Sequence, residues 1–150
     1  FYDSLSCLGD KLVALLFQLP PSFQKDSSRL DGFLNLLSKD YVNAFEFRHN
    51  SWLCEEVYDI LRKHDAVFCI TSQPDFSTDA VITSDSAYIR WHGKERLSSP
   101  YSRQELDSWA KLIRNFRCRR VFGYFNNDAE GFAVNNAEYM DRLFRKWLPA

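Results

Sequence analysis

Five short apolar runs recur along the chain, and stretches with helical patterning separate or follow them. The runs cover residues 12–19, 44–47, 66–70, 87–91 and 121–125, and we predict that each forms a buried β-strand. Pro20 and Pro21 end the first run, because proline has no backbone N–H with which to continue a regular element. The pattern therefore predicts five strands.

Four stretches carry apolar residues at the spacing of one helix face. Ser27 and Ser28 precede the first, Ser51 opens the second, and Ser102 forms a capping box with Glu105 before the third. The four apolar faces are Leu30, Phe33, Leu34 and Leu37; Leu53, Val57, Ile60 and Leu61; Leu106, Trp109, Ala110 and Ile113; and Ala133, Ala137, Met140, Phe144 and Trp147.

Strands that alternate with helices of this length need crossover connections, so we expect a mostly parallel sheet and the α/β class. A (β/α)8 TIM barrel of about 250 residues uses roughly 31 residues per unit, so five units occupy about 150. The 150 residues of the chain fit five such units. They fit a complete five-stranded doubly wound sheet equally well. In both cases residues 1–150 form a single domain.

Polar side chains follow nearly every predicted strand. Because parallel strands end at one edge of a sheet, these side chains are expected to meet at that edge, which we call the mouth. Glu46 and Arg48 share one face of their strand, as do Arg90 and His92, because side chains alternate along a strand. Burying such groups is costly without mutual pairing or a ligand. The candidate site residues are Gln18, Glu46, Arg48, His49, Arg90, His92, Asn126 and Asn127.

Several of these residues also have a purely structural interpretation. Glu46 and Arg48 fit an ion pair in the core that fixes the strand register. His92 fits an interior histidine with satisfied hydrogen bonds, and His49 fits a residue that only flanks the cap of the following helix. Asn127 fits the cap of the final helix. The sequence leaves these alternatives open.

Charge and motifs exclude several classes of function. The 19 Lys and Arg nearly cancel the 20 Asp and Glu, so the net charge of −1 gives no field that draws the protein to nucleic acid. We interpret the basic residues from Arg114 to Arg120 as a solvated helix end. No apolar run approaches the ~18 residues of a membrane span. The motifs of hydrolase triads, phosphate loops, dinucleotide sites and zincins are absent from the sequence, so no cofactor is expected.

The cysteines indicate a reducing compartment. They lie far apart, form no C-x-x-C pair and lack the histidine spacing of a zinc site, which favours buried thiols in the cytoplasm and no metal. The chain begins at Phe1, and its only methionine is Met140, so we expect it to be processed or part of a longer protein. The four cysteines are Cys7, Cys54, Cys69 and Cys118.

Four short motifs resemble those of a known family. They are FQLPPSF at 17–23, FEFRH-x-SW at 45–52, YIRWHG at 88–93 and YFNN at 124–127, and the last is followed by Gly131, Ala133, Asn135, Asn136 and Ala137. In this order they resemble the domain of unknown function 72 family, the YecE-like proteins. One departure is Trp91, where that family more often has a smaller aliphatic residue.

The resemblance implies a TIM-barrel-like fold in which these motifs end the fourth, fifth, seventh and eighth strands. It also implies that the first three βα units are missing, so the open sheet edges are expected to favour association. By the same similarity, the mouth gathers Gln18, Glu46, Arg48, Arg90, His92, Asn126 and Asn127.

The leading hypothesis is an enzyme of hydrolase or lyase type that acts on a small anionic or polyhydroxylated molecule at the mouth. Arg48 and Arg90 would bind an anion, and Glu46 or His92 would transfer a proton. The remaining mouth residues would orient the substrate. The alternative is a non-catalytic anion-binding or scaffold protein. A weaker alternative, a metal-dependent nuclease-like protein, needs further ligands that this chain does not show.

Overall fold

The computed structural model describes residues 1–95 and 98–147 and shows an α/β fold built on one parallel five-stranded sheet. The strands are β1 (Ala14–Gln18), β2 (Val42–Glu46), β3 (Val67–Ser72), β4 (Ser86–Trp91) and β5 (Arg120–Phe125). The α-helices are α1 (Tyr2–Leu5), α2 (Ser27–Leu34), α3 (Glu55–Lys63), α4 (Arg103–Arg114) and α5 (Phe132–Arg145). Short 3-10 helices cover Ser6–Lys11, Asn50–Trp52 and Ala129–Gly131.

The strands are hydrogen-bonded in the order β1-β2-β3-β4-β5, and every pair is parallel. Gln18 is paired with Glu46 at the end of β1 and β2, and Arg90 is paired with Tyr124 on β4 and β5. Within the described ranges, each strand therefore joins the sheet next to the preceding one. The carboxyl ends of all five strands lie at one edge, as parallel pairing requires.

The two faces of the sheet are packed differently. One face carries large side chains such as Phe45, Phe68 and Ile89, which form the main core with buried residues of α2, α3, α4 and α5. The opposite face carries a smaller cluster that includes Ala44 and Cys69. The main helices thus cover one face, the outer face, and the curled sheet encloses the other, the inner face. Among the described helices, none is long and apolar enough to cross a membrane.

The predicted elements are confirmed as elements, whereas several boundaries differ. The capping box of Ser102 and Glu105 is present at the start of α4. The side-chain cap of α2 is Asp26 rather than Ser27 or Ser28, because the Asp26 carboxylate accepts a hydrogen bond from the Arg29 N–H. The 3-10 helix Asn50–Trp52 precedes α3, which begins at Glu55. The helical segments before β1 were not predicted.

The connection between β3 and β4 contains no helix in the described structure, although β-strand pairs of this kind usually carry one. Thr83 is buried there, and its hydroxyl accepts from the Phe68 N–H at 2.8 Å and donates to the Ala66 carbonyl at 2.7 Å. The Thr78 hydroxyl accepts from the Thr71 N–H at 3.0 Å. Side-chain hydroxyls of the crossover therefore satisfy two backbone donors of β3.

Candidate functional site

The mouth is built by polar residues that replace apolar ones where the inner face reaches the ends of the strands. On β2, Ala44 is followed two residues later by Glu46, and on β4, Tyr88 is followed by Arg90. Because residues two apart on a strand share a face, the same alternation that buries Ala44 directs Glu46 into the mouth. The strand pairing also sets Gln18 beside Glu46.

Glu46 lies at the centre of the mouth, and its side chain is 0% exposed. Oε1 accepts from Arg48 Nε at 2.7 Å and lies 2.6 Å from Arg48 Nη2, which is a forked contact. Oε2 accepts from Arg90 Nη1 at 2.6 Å. A carboxylate removed from water requires such pairing on both oxygens. The ion pair between Glu46 and Arg48 is therefore present. Glu46 also forms an ion pair with Arg90 of β4, on the other side of β3.

Two amide side chains complete this arrangement. Gln18 Oε1 accepts from Arg48 Nη2 and Arg90 Nη1, each at 3.2 Å. Asn126 Oδ1 accepts from Arg90 Nε at 3.0 Å. We call these five residues, Gln18, Glu46, Arg48, Arg90 and Asn126, the mouth network.

The mouth network has more positive charge than negative charge. Two guanidinium groups share the single carboxylate of Glu46, which leaves one positive charge in excess. Within the described part of the chain, Arg48 Nη1 and Arg90 Nη2 donate to no protein acceptor. The side chains of Arg48 and Arg90 are 27% and 17% exposed, so a ligand in solution can reach them. This arrangement can bind an anion.

His92 follows Arg90 on the same face and is mostly buried. Its Nε2 atom is buried and has no hydrogen-bond partner among the described residues. Burial, followed by the positive charge of Arg90, lowers the pKa of His92, and Arg48 acts in the same direction while Glu46 opposes it. The lowered pKa favours the neutral imidazole at neutral pH, and the influence of Arg90, Glu46 and Arg48 on it shows that the ring lies near the mouth network.

The other two predicted residues take part in different contacts. His49 Nδ1 lies 2.8 Å from Ser51 Oγ and accepts from the Ser51 N–H at 3.1 Å, so it caps the 3-10 helix Asn50–Trp52. Asn127 is fully buried and donates from Nδ2 to the Ser99 carbonyl at 3.0 Å. Its side chain makes no cap bond to α5, so the cap interpretation of Asn127 is wrong. No bond to the mouth network is described for His49 or Asn127.

Two tyrosines on the inner face, next to Arg90, were not predicted as site residues from the sequence. Tyr88 and Tyr124 stack at a centroid distance of 5.0 Å on the inner face. Burial, with a smaller effect of the Tyr124 hydroxyl, raises the pKa of Tyr88. Burial likewise raises the pKa of the Cys69 thiol, which lies on the same face. The alternation that identified Arg90 also places Tyr88 on this face, so the signal was present in the sequence.

Across the described residues, acidic, histidine and cysteine side chains do not gather in groups of three or more that could hold a metal ion. Apart from the paired carboxylate of Glu46 and the imidazole of His92, the groups that gather at the mouth are guanidinium N–H donors and amides. Their chemistry suits an anion or the hydroxyl groups of a substrate.

Comparison with known proteins identifies the family. The family model described as "Protein of unknown function DUF72" matches residues 1–149. The chain belongs to the DUF72 family. The resemblance of the four motifs to that family is thereby confirmed, and the match covers almost the whole chain.

Relatives of this DUF72 chain are longer. It is 25% identical to the UPF0759 protein YunF of Bacillus subtilis, over 90% of this chain and 58% of that protein. A DUF72 family protein from Thermotoga maritima is 30% identical, with a TM-score of 0.74 over 87% of this chain and 56% of that one. A DUF72 family protein from Enterococcus faecalis is 23% identical, with a TM-score of 0.83 over 97% of this chain and 66% of that one. The chain thus spans less than two thirds of each relative.

Proposed function

We propose that the chain contributes the last five βα units of a TIM-barrel-like fold, whose mouth is the functional site. The sequential order of parallel strands supports this proposal, because a doubly wound sheet reverses its strand order at a switch point. Helices on one face of the sheet, with a second apolar cluster on the other, are also the layers of a barrel. The greater length of the relatives leaves room for three further units.

We infer that the mouth belongs to an enzyme of hydrolase or lyase type that acts on a small anionic or polyhydroxylated molecule. The observation that carries this inference is that Arg48 and Arg90 share one carboxylate and keep N–H donors that meet no acceptor among residues 1–95 and 98–147. These donors would bind the anionic group of the substrate. Gln18 and Asn126 would hold the guanidinium groups and orient substrate hydroxyls.

Proton transfer would fall to His92 rather than to Glu46. Both Glu46 oxygens already contact guanidinium groups, so Glu46 would have to give up one of these contacts to reach a substrate proton. His92 has a neutral ring and a buried nitrogen without a protein partner in the described chain. Glu46 would then act as a positioning residue that fixes the two arginines. His49 and Asn127 would shape the loops around the substrate.

A second candidate is a non-catalytic anion-binding or scaffold protein. The contacts that Gln18, Glu46, Arg48 and Arg90 make with one another favour this candidate, because a network of this kind can bind an anion without catalysing a reaction. Turnover of p-nitrophenyl phosphate separates the two candidates. A hydrolase that acts on phosphate esters should release p-nitrophenol, and His92→Gln should lower kcat by about 100-fold with KM little changed. Binding of phosphate without turnover of this probe supports the second candidate.

The shared anion site is tested by replacing both arginines. Arg48→Gln/Arg90→Gln should weaken the binding of inorganic phosphate, measured by calorimetry, by more than about tenfold, because each charge-assisted contact contributes on the order of 1.5–3 kcal/mol. Arg142→Gln, on the exposed side of α5, is the control and should leave binding unchanged. Arg48→Lys keeps the charge and tests binding if the double variant unfolds. Unchanged phosphate binding by a folded double variant would contradict the proposal.

We also propose that the protein works in the cytoplasm. In the described structure all four cysteines are free thiols, and Cys69 is fully buried. Free thiols persist in a reducing compartment.

A further inference from the structure

The mouth has a charge imbalance and a buried polar atom that the network leaves without a partner. The network carries one excess positive charge, since Glu46 balances only one of the two arginines. His92 Nε2 is buried beside it and meets no acceptor or donor within the described ranges. Two residues along an extended strand are about 7 Å apart, so His92 lies one strand repeat beyond Arg90 on the same face.

The surroundings of His92 determine when it can hold a proton. The charged groups that face it in the described chain are Arg90 from β4, Glu46 at the end of β2 and Arg48 after β2. From β3 it meets the Ser72 carbonyl, which accepts from the His92 N–H, and from the following loop the Ser98 N–H, which donates to the His92 carbonyl. With two cations and one anion nearby, a second negative charge is missing. A bound anion would supply that charge.

We propose that the mouth binds a dianionic group, such as a phosphate monoester or inorganic sulfate, together with one proton that His92 takes up. The proposal deepens the anion site proposed above and rests on it. A monoanion neutralises the excess charge of the network and leaves His92 neutral. A dianion leaves one negative charge, and a protonated His92 balances it while its Nε2–H donates to an anion oxygen. The substrate class is therefore a phosphate monoester, because a carboxylate or a sulfate ester carries only one negative charge.

Inorganic sulfate is the probe for the first test, because it remains a dianion over about pH 5 to 8 and its own titration does not interfere. The dissociation constant of sulfate for the whole chain is measured by calorimetry across this range. Between the pKa of His92 in the complex and its lower pKa in the free protein, sulfate should bind about tenfold more tightly for each unit that the pH falls. In His92→Gln the dissociation constant should be independent of pH.

The second measurement follows His92 itself in the unaltered chain, so that it does not depend on the stability of a variant. The imidazole Cε1–H signals of the three histidines are assigned with His49→Gln and His64→Gln and titrated with and without sulfate. The pKa of His92 should rise on binding by one unit or more, on the order of 1.4 kcal/mol of coupling. Acetate, a monoanion, should leave it nearly unchanged.

The outcomes separate this proposal from the anion site on which it rests. If sulfate fails to bind the unaltered chain at any pH, the proposed anion site itself is wrong. If sulfate binds and Arg48→Gln/Arg90→Gln abolishes binding, but affinity is independent of pH and the pKa of His92 does not move, only the coupling to a proton is overturned. A pH dependence that persists in His92→Gln overturns it as well, because another group would then take up the proton.

Discussion

Glu46 is buried with a formal charge, which a folded protein tolerates only when the charge is paired. Its two oxygens contact guanidinium groups from two different parts of the sheet, after β2 and within β4. These strands are not neighbours, since β3 lies between them. The side chain therefore joins strands that share no backbone hydrogen bonds.

Replacing this carboxylate tests its contribution to stability. Glu46→Gln keeps the shape but leaves two partly buried guanidinium groups without a counter-charge, so the free energy of unfolding should fall by about 2–4 kcal/mol. Urea denaturation followed by circular dichroism measures the change. Glu138→Gln, in the exposed pair with Arg142 on α5, is the matched control and should leave the midpoint nearly unchanged. Equal effects of the two substitutions would show that the mouth network does not contribute to stability.

Much of the mouth could be predicted from the sequence, because strand alternation is a local rule. The alternation placed Glu46 beside Arg48 and Arg90 beside His92 without knowledge of the tertiary structure. It could not show that Arg90 reaches Glu46 across β3, which depends on the curl of the sheet. The contact of Asn127 with the Ser99 carbonyl depends on how the loop after β4 folds back, and no local pattern encodes it.

At the scale of elements, β4 and β5 fit together through a glycine. The Trp91 ring stacks on Phe125 at a centroid distance of 4.5 Å and covers Gly123 of the adjacent strand. A Cβ atom on Gly123 would lie 2.8 Å from Trp91 Cζ3. Trp109 from α4 meets the same indole edge-on at 5.4 Å. The large residue at position 91 is therefore accommodated on the outer face, away from the mouth.

Gly123→Ala should destabilise the protein by about 1–3 kcal/mol, because the added methyl group overlaps a ring that is already packed on both sides. Gly32→Ala is the control: an added Cβ there meets no atom within 4 Å, and glycine inside α2 costs conformational entropy. The free energy of unfolding of Gly32→Ala should rise by about 0.5–1 kcal/mol. Thermal unfolding of both variants measures the difference. If Gly123→Ala were as stable as the unaltered chain, the prediction would be wrong, because the Trp91 ring could then move aside without loss of stability.

The elements themselves followed from periodicity, whereas their ends did not. The apolar faces predicted for α3, α4 and α5 contain Val57, Leu106 and Met140, and these residues are buried. The start of α2 was misplaced because Asp26 competes with two serines as the cap, and only the hydrogen bond to Arg29 decides between them. The predicted strands began or ended within a few residues of the observed ones, since fraying at strand ends depends on the neighbouring strand.

At the scale of the whole molecule, the described sheet has two strands with a single neighbour. β1 and β5 are the first and last strands of the sheet, and their outward backbone groups are available to another strand. On β5, the side chain of Val121 is 42% exposed. It also lines an apolar cavity of about 600 Å³ between β5, α4 and α5. Exposed apolar strand edges of this kind promote association.

Val121→Lys should therefore lower the self-association of the chain, since a lysine on an edge strand opposes pairing and can extend from this partly exposed position into water. Sedimentation velocity at increasing protein concentration measures the effect. Val134→Lys is the control, because Val134 is 62% exposed on α5 and lies away from the sheet edge. The unaltered chain and Val134→Lys should both associate, and Val121→Lys should shift towards the monomer. A chain that is monomeric at all concentrations would contradict the prediction.

The crossover between β3 and β4 has a consequence for how the chain tolerates changes in length. Connections without regular secondary structure usually accept insertions, because their backbone makes few specific bonds. Here the hydroxyls of Thr78 and Thr83 accept hydrogen bonds from the N–H groups of Thr71 and Phe68 in β3, as the carbonyls of a neighbouring strand would. An extra residue between the two threonines would move one hydroxyl away from its donor. The segment that resembles a loop is therefore fixed in length as strictly as a strand.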